Sequence, residues 1–212
     1  MIMMLVIQLP VLVFSVIVHE CAHGWTAERC GDDTARAMGR ITLNPLPHID
    51  LVGTIIIPVM TILFSPYIFG YAKPVPVNPY RFNHPRRDAM LVSASGPISN
   101  LLLAVVFAIV MRILIGVPFF SVGIKAIIIQ LCSYAVLINL ILALLNLIPV
   151  PPLDGSGIVS GLLPQEAAFQ YERLRPYGLF ILFGLLIFGV IGSVLTPILS
   201  FLSSILLGGI RI

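Results

Sequence analysis

An all-α polytopic membrane protein is the fold class this sequence predicts, on three observations. Hydrophobic residues make up 58% of the 212, and charged residues only 10%. Mean hydropathy is +1.07. The few charges are gathered in short connectors between long uncharged runs. Soluble domains carry about 25% charged residues, so this composition excludes them. A single membrane-embedded domain over residues 1–212 is expected. The net charge of +3 makes no case for a nucleic-acid partner. Cys21, Cys30 and Cys132 form neither an even disulfide set nor a zinc-ligand spacing, and are read as free thiols.

The uncharged run Met1 to Val18 opens a first span over about residues 4–25, with Pro10 as a tolerable kink. It lacks a basic leader and a small-residue cleavage site, so it is expected to be retained. Residues 51–72 form a second uncharged stretch, broken by Gly53, Pro58 and Ser65-Pro66 into pieces too short for a span of about 20 residues. The Lys73-Pro74-Val75-Pro76-Val77-Asn78-Pro79 run that follows must be extended or turned. Ala89 to Met111 and Ala126 to Leu153 are long enough to span. The small residues Ser93 to Pro97 allow close helix approach. Gly155 to Pro176 reads as a polar loop. Tyr177 to Ile210 is too long for one span, with Pro197 as its expected divider.

Chemistry is concentrated in His19-Glu20-Cys21-Ala22-His23, at the end of the first run. On a helix the two imidazoles lie at i and i+4, about 40° apart around the axis. That suits two ligands on one metal ion with a carboxylate beside them as a base. Cys21 faces away from the pair. A buried acid in a span costs roughly 2.5 kcal/mol or more, so these groups call for a function. A catalytic metal usually takes three protein ligands. His48 and His84 lie in Pro-containing connectors and are weak candidates. Asp154 is better placed, following 28 uncharged residues, although a solvated helix cap is the alternative. The prolines from Pro149 to Pro152 unwind the chain before it, which a bilayer tolerates only inside protein or beside a water-filled cavity. Asn146, within the same run, reads on its own as a helix–helix hydrogen-bond partner.

The His19-to-His23 motif, the Gly96-Pro97-Ile98-Ser99-Asn100 element and the Asn146-to-Gly155 stretch resemble, in this order, the site-2 protease family of intramembrane zinc metalloproteases. The resemblance spans roughly residues 10 to 155. It implies one Zn2+ bound by His19, His23 and Asp154, Glu20 as general base, and Asn146 beside the substrate. It implies a packing role for Gly96-Pro97 and Asn100. With no PDZ-like or CBS-like segment in the sequence, it points to a compact member.

Shared ligation sets a topological condition. The first span and the 126–153 helix must run the same way, so only one of the stretches 51–72 and 89–111 can cross. The broken one, 51–72, is expected to be re-entrant. Nine of the twelve basic residues then share one side, which the positive-inside rule makes cytoplasmic. The expected fold is a three-helix catalytic core with a re-entrant segment and one or two C-terminal membrane helices. The N-terminus is external and the site lies toward the cytoplasmic side of the cell membrane. The expected substrates are transmembrane proteins within the lipid bilayer, with the 73–78 connector or the 51–72 insertion offering them a strand edge, or acting only as a tether at the membrane surface. A non-enzymatic metal-binding protein, a helix-binding pseudoprotease and a hydrolase of lipids are the alternatives.

Overall fold

A computed structural model describes residues 2–50, 53, 73–118 and 120–208. Helix and irregular connections account for all of the described residues, with no strand among them. In chain order the α-helices are α1 (Ile2–Arg29), α2 (Thr34–Ala37), α3 (Pro85–Gly116), α4 (Val122–Asn146), α5 (Asp154–Leu162), α6 (Gln165–Glu172), α7 (Gly178–Ile187) and α8 (Val190–Leu207). Four of them are long and apolar enough to cross a membrane: α1 from Gln8, α3, α4 and α8. The chain is a multi-pass membrane protein. At 1.5 Å per residue α3 is about 48 Å long, more than the roughly 30 Å hydrocarbon layer. Its Arg86-Arg87-Asp88 end therefore projects beyond the apolar zone.

Hydrogen bonds fix the relative directions of the three central helices. Ser15 and His23 of α1, and Cys30 just past its end, meet Asn100, Val92 and Asn83 in turn, so α3 runs antiparallel to α1. Ser133 and Asn139 of α4 meet Met111 and Asn100, so α4 is antiparallel to α3 and parallel to α1. This is the relation that shared ligation requires. A core of Ala104, Ala108, Met111, Cys132, Val136, Leu140 and Leu207 fills one end of the bundle, between α3, α4 and α8. Ala104 and Ala108, one turn apart and fully buried, bring α3 close to its neighbours.

The connections beyond α1 gather at the other end. Lys73 N donates to His48 O at 2.9 Å, and Arg40 Nη2 donates to Lys73 O at 2.8 Å and Pro74 O at 3.2 Å. The two flanks of the 51–72 stretch thus meet. The re-entrant reading concerns the stretch itself, which, Gly53 apart, lies outside the described residues.

Three expectations are corrected. Residues 155–176 hold two helices, α5 and α6, rather than a loop. Glycine-rich α5 has poor intrinsic propensity, but packing against α3 overrides it. A Cβ at Gly157 would lie 2.1 Å from Ser93 Oγ, so only glycine allows that approach. Asp154 does not end the fourth helix either. The helix stops at Asn146, residues 147–153 turn, and Asp154 opens α5, where a helix N-terminus favours a carboxylate. Finally, the C-terminal run divides at Gly189 and not at Pro197, which sits inside α8. Gly189 takes φ +70°, open to glycine without steric cost, whereas Pro197 removes only one internal N–H.

Candidate metal centre

His19 and His23 face α3 from the C-terminal half of α1, one helical turn apart. Gly96 makes this possible. A Cβ there would lie 2.5 Å from both His19 Cε1 and His23 Nε2. The imidazoles cross edge to face with centroids 4.7 Å apart. Asp154 enters from α5. His19 Nε2 and His23 Nε2 lie 3.0 Å apart, and Asp154 Oδ2 lies 3.1 Å from the first and 3.4 Å from the second.

The other ring nitrogens decide what these atoms are. His19 Nδ1 lies 2.6 Å from Asn100 Oδ1, and His23 Nδ1 lies 2.7 Å from Val92 O. Both partners accept, so both Nδ1 atoms carry the proton and both Nε2 atoms present lone pairs. Ser95 Oγ donates to the same Val92 carbonyl at 2.6 Å. Asp154 Oδ2 is buried and receives no hydrogen bond. Three acceptors therefore converge with no donor among them, and a single proton cannot satisfy all three. A divalent cation can. A tetrahedral zinc site with ligand distances near 2.05 Å has ligand–ligand edges of about 3.3 Å. The three observed separations bracket that value, and this donor set fits the ion.

The orientation of His19 rests on a directed chain of hydrogen bonds through three helices. Ser15 Oγ donates to Val11 O at 2.8 Å. Asn139 Nδ2 donates to Ser15 Oγ at 2.8 Å and to Ala135 O at 2.8 Å. Asn100 Nδ2 donates to Asn139 Oδ1 at 2.9 Å and to Ser15 O at 3.3 Å. With its amide nitrogen committed, Asn100 can only turn its oxygen toward His19. Ser15, Asn100 and Asn139 are fully buried, so every link is shielded from water.

Glu20 lies beside the pair, and its Oε2 accepts from Val75 N at 2.8 Å. In the 73–78 connector the Lys73 and Asn78 N–H groups are also consumed internally, by His48 O and Asp32 Oδ2. Those bonds favour the tether reading of this connector over a free strand edge. Asp32 lies under the same connector. Burial pushes its carboxyl up, but bonds from Asn78 N, Thr34 Oγ1 and Thr34 N, with the nearby Arg81 charge, hold it below the ordinary aspartate range.

Of the residues singled out from the sequence, His19, His23 and Asp154 come together, with Glu20 adjacent. Asn146 ends α4, half-buried, with its Nδ2 donating to Leu142 O at 2.9 Å. No hydrogen bond among the described residues joins it to the three. His48 is buried against Thr42 O and His84 is exposed at the start of α3, so neither joins the cluster. Cys21 Sγ turns away, toward Thr42 O. Asn100, read as a packing residue, does join three helices, and it also orients His19. Asn139 and Ser15 were not identified as part of the site. Asn139 carries the same signal as Asn146, a lone amide in an apolar helix, two turns earlier on the same face.

Fold and site define a membrane-embedded protein with an HExxH helix and a His/His/Asp cluster completed from another helix. Residues 7–189 match peptidase family M50. The chain belongs to that family, the site-2 protease family. It is 41% identical over 202 residues to the Bacillus subtilis protein named "Putative zinc metalloprotease YwhC", covering 91% of this chain and 87% of that one. It is 30% identical over 176 residues to "Putative zinc metalloprotease Rip2" of Mycolicibacterium smegmatis, covering 82% of this chain and 63% of the relative. A Mycobacterium tuberculosis Rip2 is 28% identical over 168 residues, or 78% of this chain and 60% of the relative. The chain thus spans less than two thirds of the Rip2 proteins. No solved structure matches it.

Proposed function

We propose that this chain is an intramembrane zinc metalloprotease that hydrolyses peptide bonds within or near transmembrane segments of other membrane proteins. The observation that carries the reading is the convergence of three buried acceptors, His19 Nε2, His23 Nε2 and Asp154 Oδ2, beside a glutamate within apolar helices. His19, His23 and Asp154 would hold the zinc, which would supply Lewis-acid polarisation of the scissile carbonyl and a water acidic enough to ionise near neutral pH. Glu20 accepts the proton of the attacking water and returns it to the leaving amine. Val75 N–H holds one carboxylate oxygen and leaves the other for that exchange. Asn100 and the Val92 carbonyl hold the imidazoles in the tautomer that leaves Nε2 free to ligate. Asn146, at the unwound end of α4, bonds substrate or the developing oxyanion. The substrate helix unwinds locally, because helical amides are shielded by their own hydrogen bonds.

The intact Glu20 favours an enzyme over a metal-binding protein or a pseudoprotease, since ligation alone has no use for a base. The test is single-turnover cleavage of a panel of model transmembrane substrates by the purified chain and by Glu20→Gln. The proposal requires cleavage by wild type, with zinc retained and cleavage lost in the variant. Absence of cleavage by both forms across the panel would return the field to the non-enzymatic readings. For orientation, we place the N-terminus outside and the 29–50 and 73–88 connectors in the cytoplasm. Cysteines at Arg81 or Arg86 should resist an impermeant label applied from outside, and labelling there would overturn this placement.

A further inference from the structure

Where α1 ends and α3 begins, two open cavities adjoin. The first, of about 570 Å³, is lined among others by Trp25, Arg29, Asn83, His84, Arg87 and Leu91. The second, of about 610 Å³, is lined by His84, Arg86, Arg87, Met90 and Leu162, with Pro85 and Gly161. His84 and Arg87 stand in both walls. Neither cavity includes His19, His23 or Asp154.

The charges around them do not balance. Nearby acids already have partners. Glu28 pairs with Arg36 and Asp33 with Arg81, while Glu172 pairs with Arg175. Asp88, which also lines the first cavity, accepts from His84 N at 2.7 Å and closes the first turn of α3. Arg29, Arg86 and Arg87 form no ion pair among the described residues. Arg29 is held at the cavity wall by Trp25, with its guanidinium 3.7 Å from the ring centroid. The stacked face leaves its N–H edges free to bind an anion, and phosphate suits a guanidinium fork better than a point charge.

The walls identify the anion's carrier. Trp25, Leu91 and Leu162 are 48%, 39% and 70% exposed. Trp25 and Leu91 lie near the ends of the spanning helices α1 and α3, the depth that tryptophan prefers at a bilayer interface, and Leu162 ends the neighbouring α5. A free anion has no use for such surfaces, whereas a lipid places its phosphate among the arginines and its acyl chains along Leu91 and Leu162. The geometry points to a binding site for an anionic phospholipid headgroup in these cavities, with Arg29, Arg86 and Arg87 as its phosphate ligands. Basic pockets between spans on the cytoplasmic side favour such lipids. The lipid would join the end of the HExxH helix to the start of α3, two helices that together position both imidazoles. It is independent of whether the chain cleaves anything.

The test is native mass spectrometry of the full chain released from nanodiscs of equal phosphatidylcholine and phosphatidylglycerol. Wild type should retain phosphatidylglycerol in preference to phosphatidylcholine by roughly tenfold or more. Arg29→Gln/Arg87→Gln should lose that preference, and Lys125→Gln, in the first turn of α4 at the far end of the bundle, should keep it. A monodisperse gel-filtration profile for each variant separates loss of binding from loss of fold. No preference in wild type, or an equal preference in a folded double variant, overturns the proposal. Excess inorganic phosphate should leave the lipid bound; displacement by phosphate would reassign the cavities to a free anion and also overturn it.

Discussion

The two ends of the helical bundle are packed on opposite principles. At the α3, α4 and α8 end, Ala104, Ala108, Met111, Val136 and Leu140 fill space with buried apolar groups. At the metal-centre end, helices of the same bundle are joined by Ser15, Asn100 and Asn139, whose hydrogen bonds have fixed directions. Contacts of the first kind have no fixed direction. The second arrangement sets the orientation of one imidazole. It ends in three acceptors that the protein itself leaves unsatisfied. The two arrangements occupy successive stretches of α3, with Asn100 and Ala104 one turn apart.

The contrast can be broken most severely at the candidate metal centre. Glu20→Gln should lower cleavage by about 10²–10⁴-fold, the range for a general base, with zinc content unchanged by elemental analysis. At the apolar end, Met111→Ala, about three turns from Asn100 along α3, should cost about 2–5 kcal/mol in unfolding free energy. Its zinc affinity, measured by chelator competition, should match wild type. Coupled loss of both would show that the ends are not separable. Asn100→Leu keeps the volume but removes the acceptor for His19 Nδ1, so zinc affinity should fall about 10–100-fold. Asn139→Leu should fall in the same direction by less, because it frees the Asn100 amide without deleting it.

The smallest effect is expected at the rim. Asp32 has a folded pKa below its ordinary value, so its stabilising contribution is fully present above about pH 3.9. It is lost as pH falls through the lowered folded value. Asp32→Asn should flatten the acid limb of the stability–pH curve, seen as a smaller drop in Tm below pH 4. An unchanged acid limb would remove Asp32 as the anchor of the connector.

Legibility in the sequence followed the same division. Long uncharged runs disclosed the spanning helices, because bilayer thickness sets their length. The His19 and His23 pair was visible from local spacing. Asp154 was reachable because a carboxylate beside a proline-broken apolar run needs an explanation. The α5 helix was not legible. Its glycines argue against a helix until Ser93 and Met90 of α3 are known to lie against them. The role of Asn139 was hidden for a related reason. An amide in an apolar helix signals a partner, and only the fold shows that the partner is Asn100. The Val75 N–H is a backbone group, for which the sequence offers no signal beyond the flanking prolines that cannot donate.

The central claim is that residues from α1 and α5 hold one metal ion between them. Zinc stoichiometry of the purified chain tests it most directly, comparing wild type with Asp154→Ala in a folded, monodisperse state. One zinc per chain in wild type and only trace zinc in Asp154→Ala is the result this account requires. Equal zinc in both would mean that Asp154 is not a ligand, and that His19 and His23 find their third partner elsewhere.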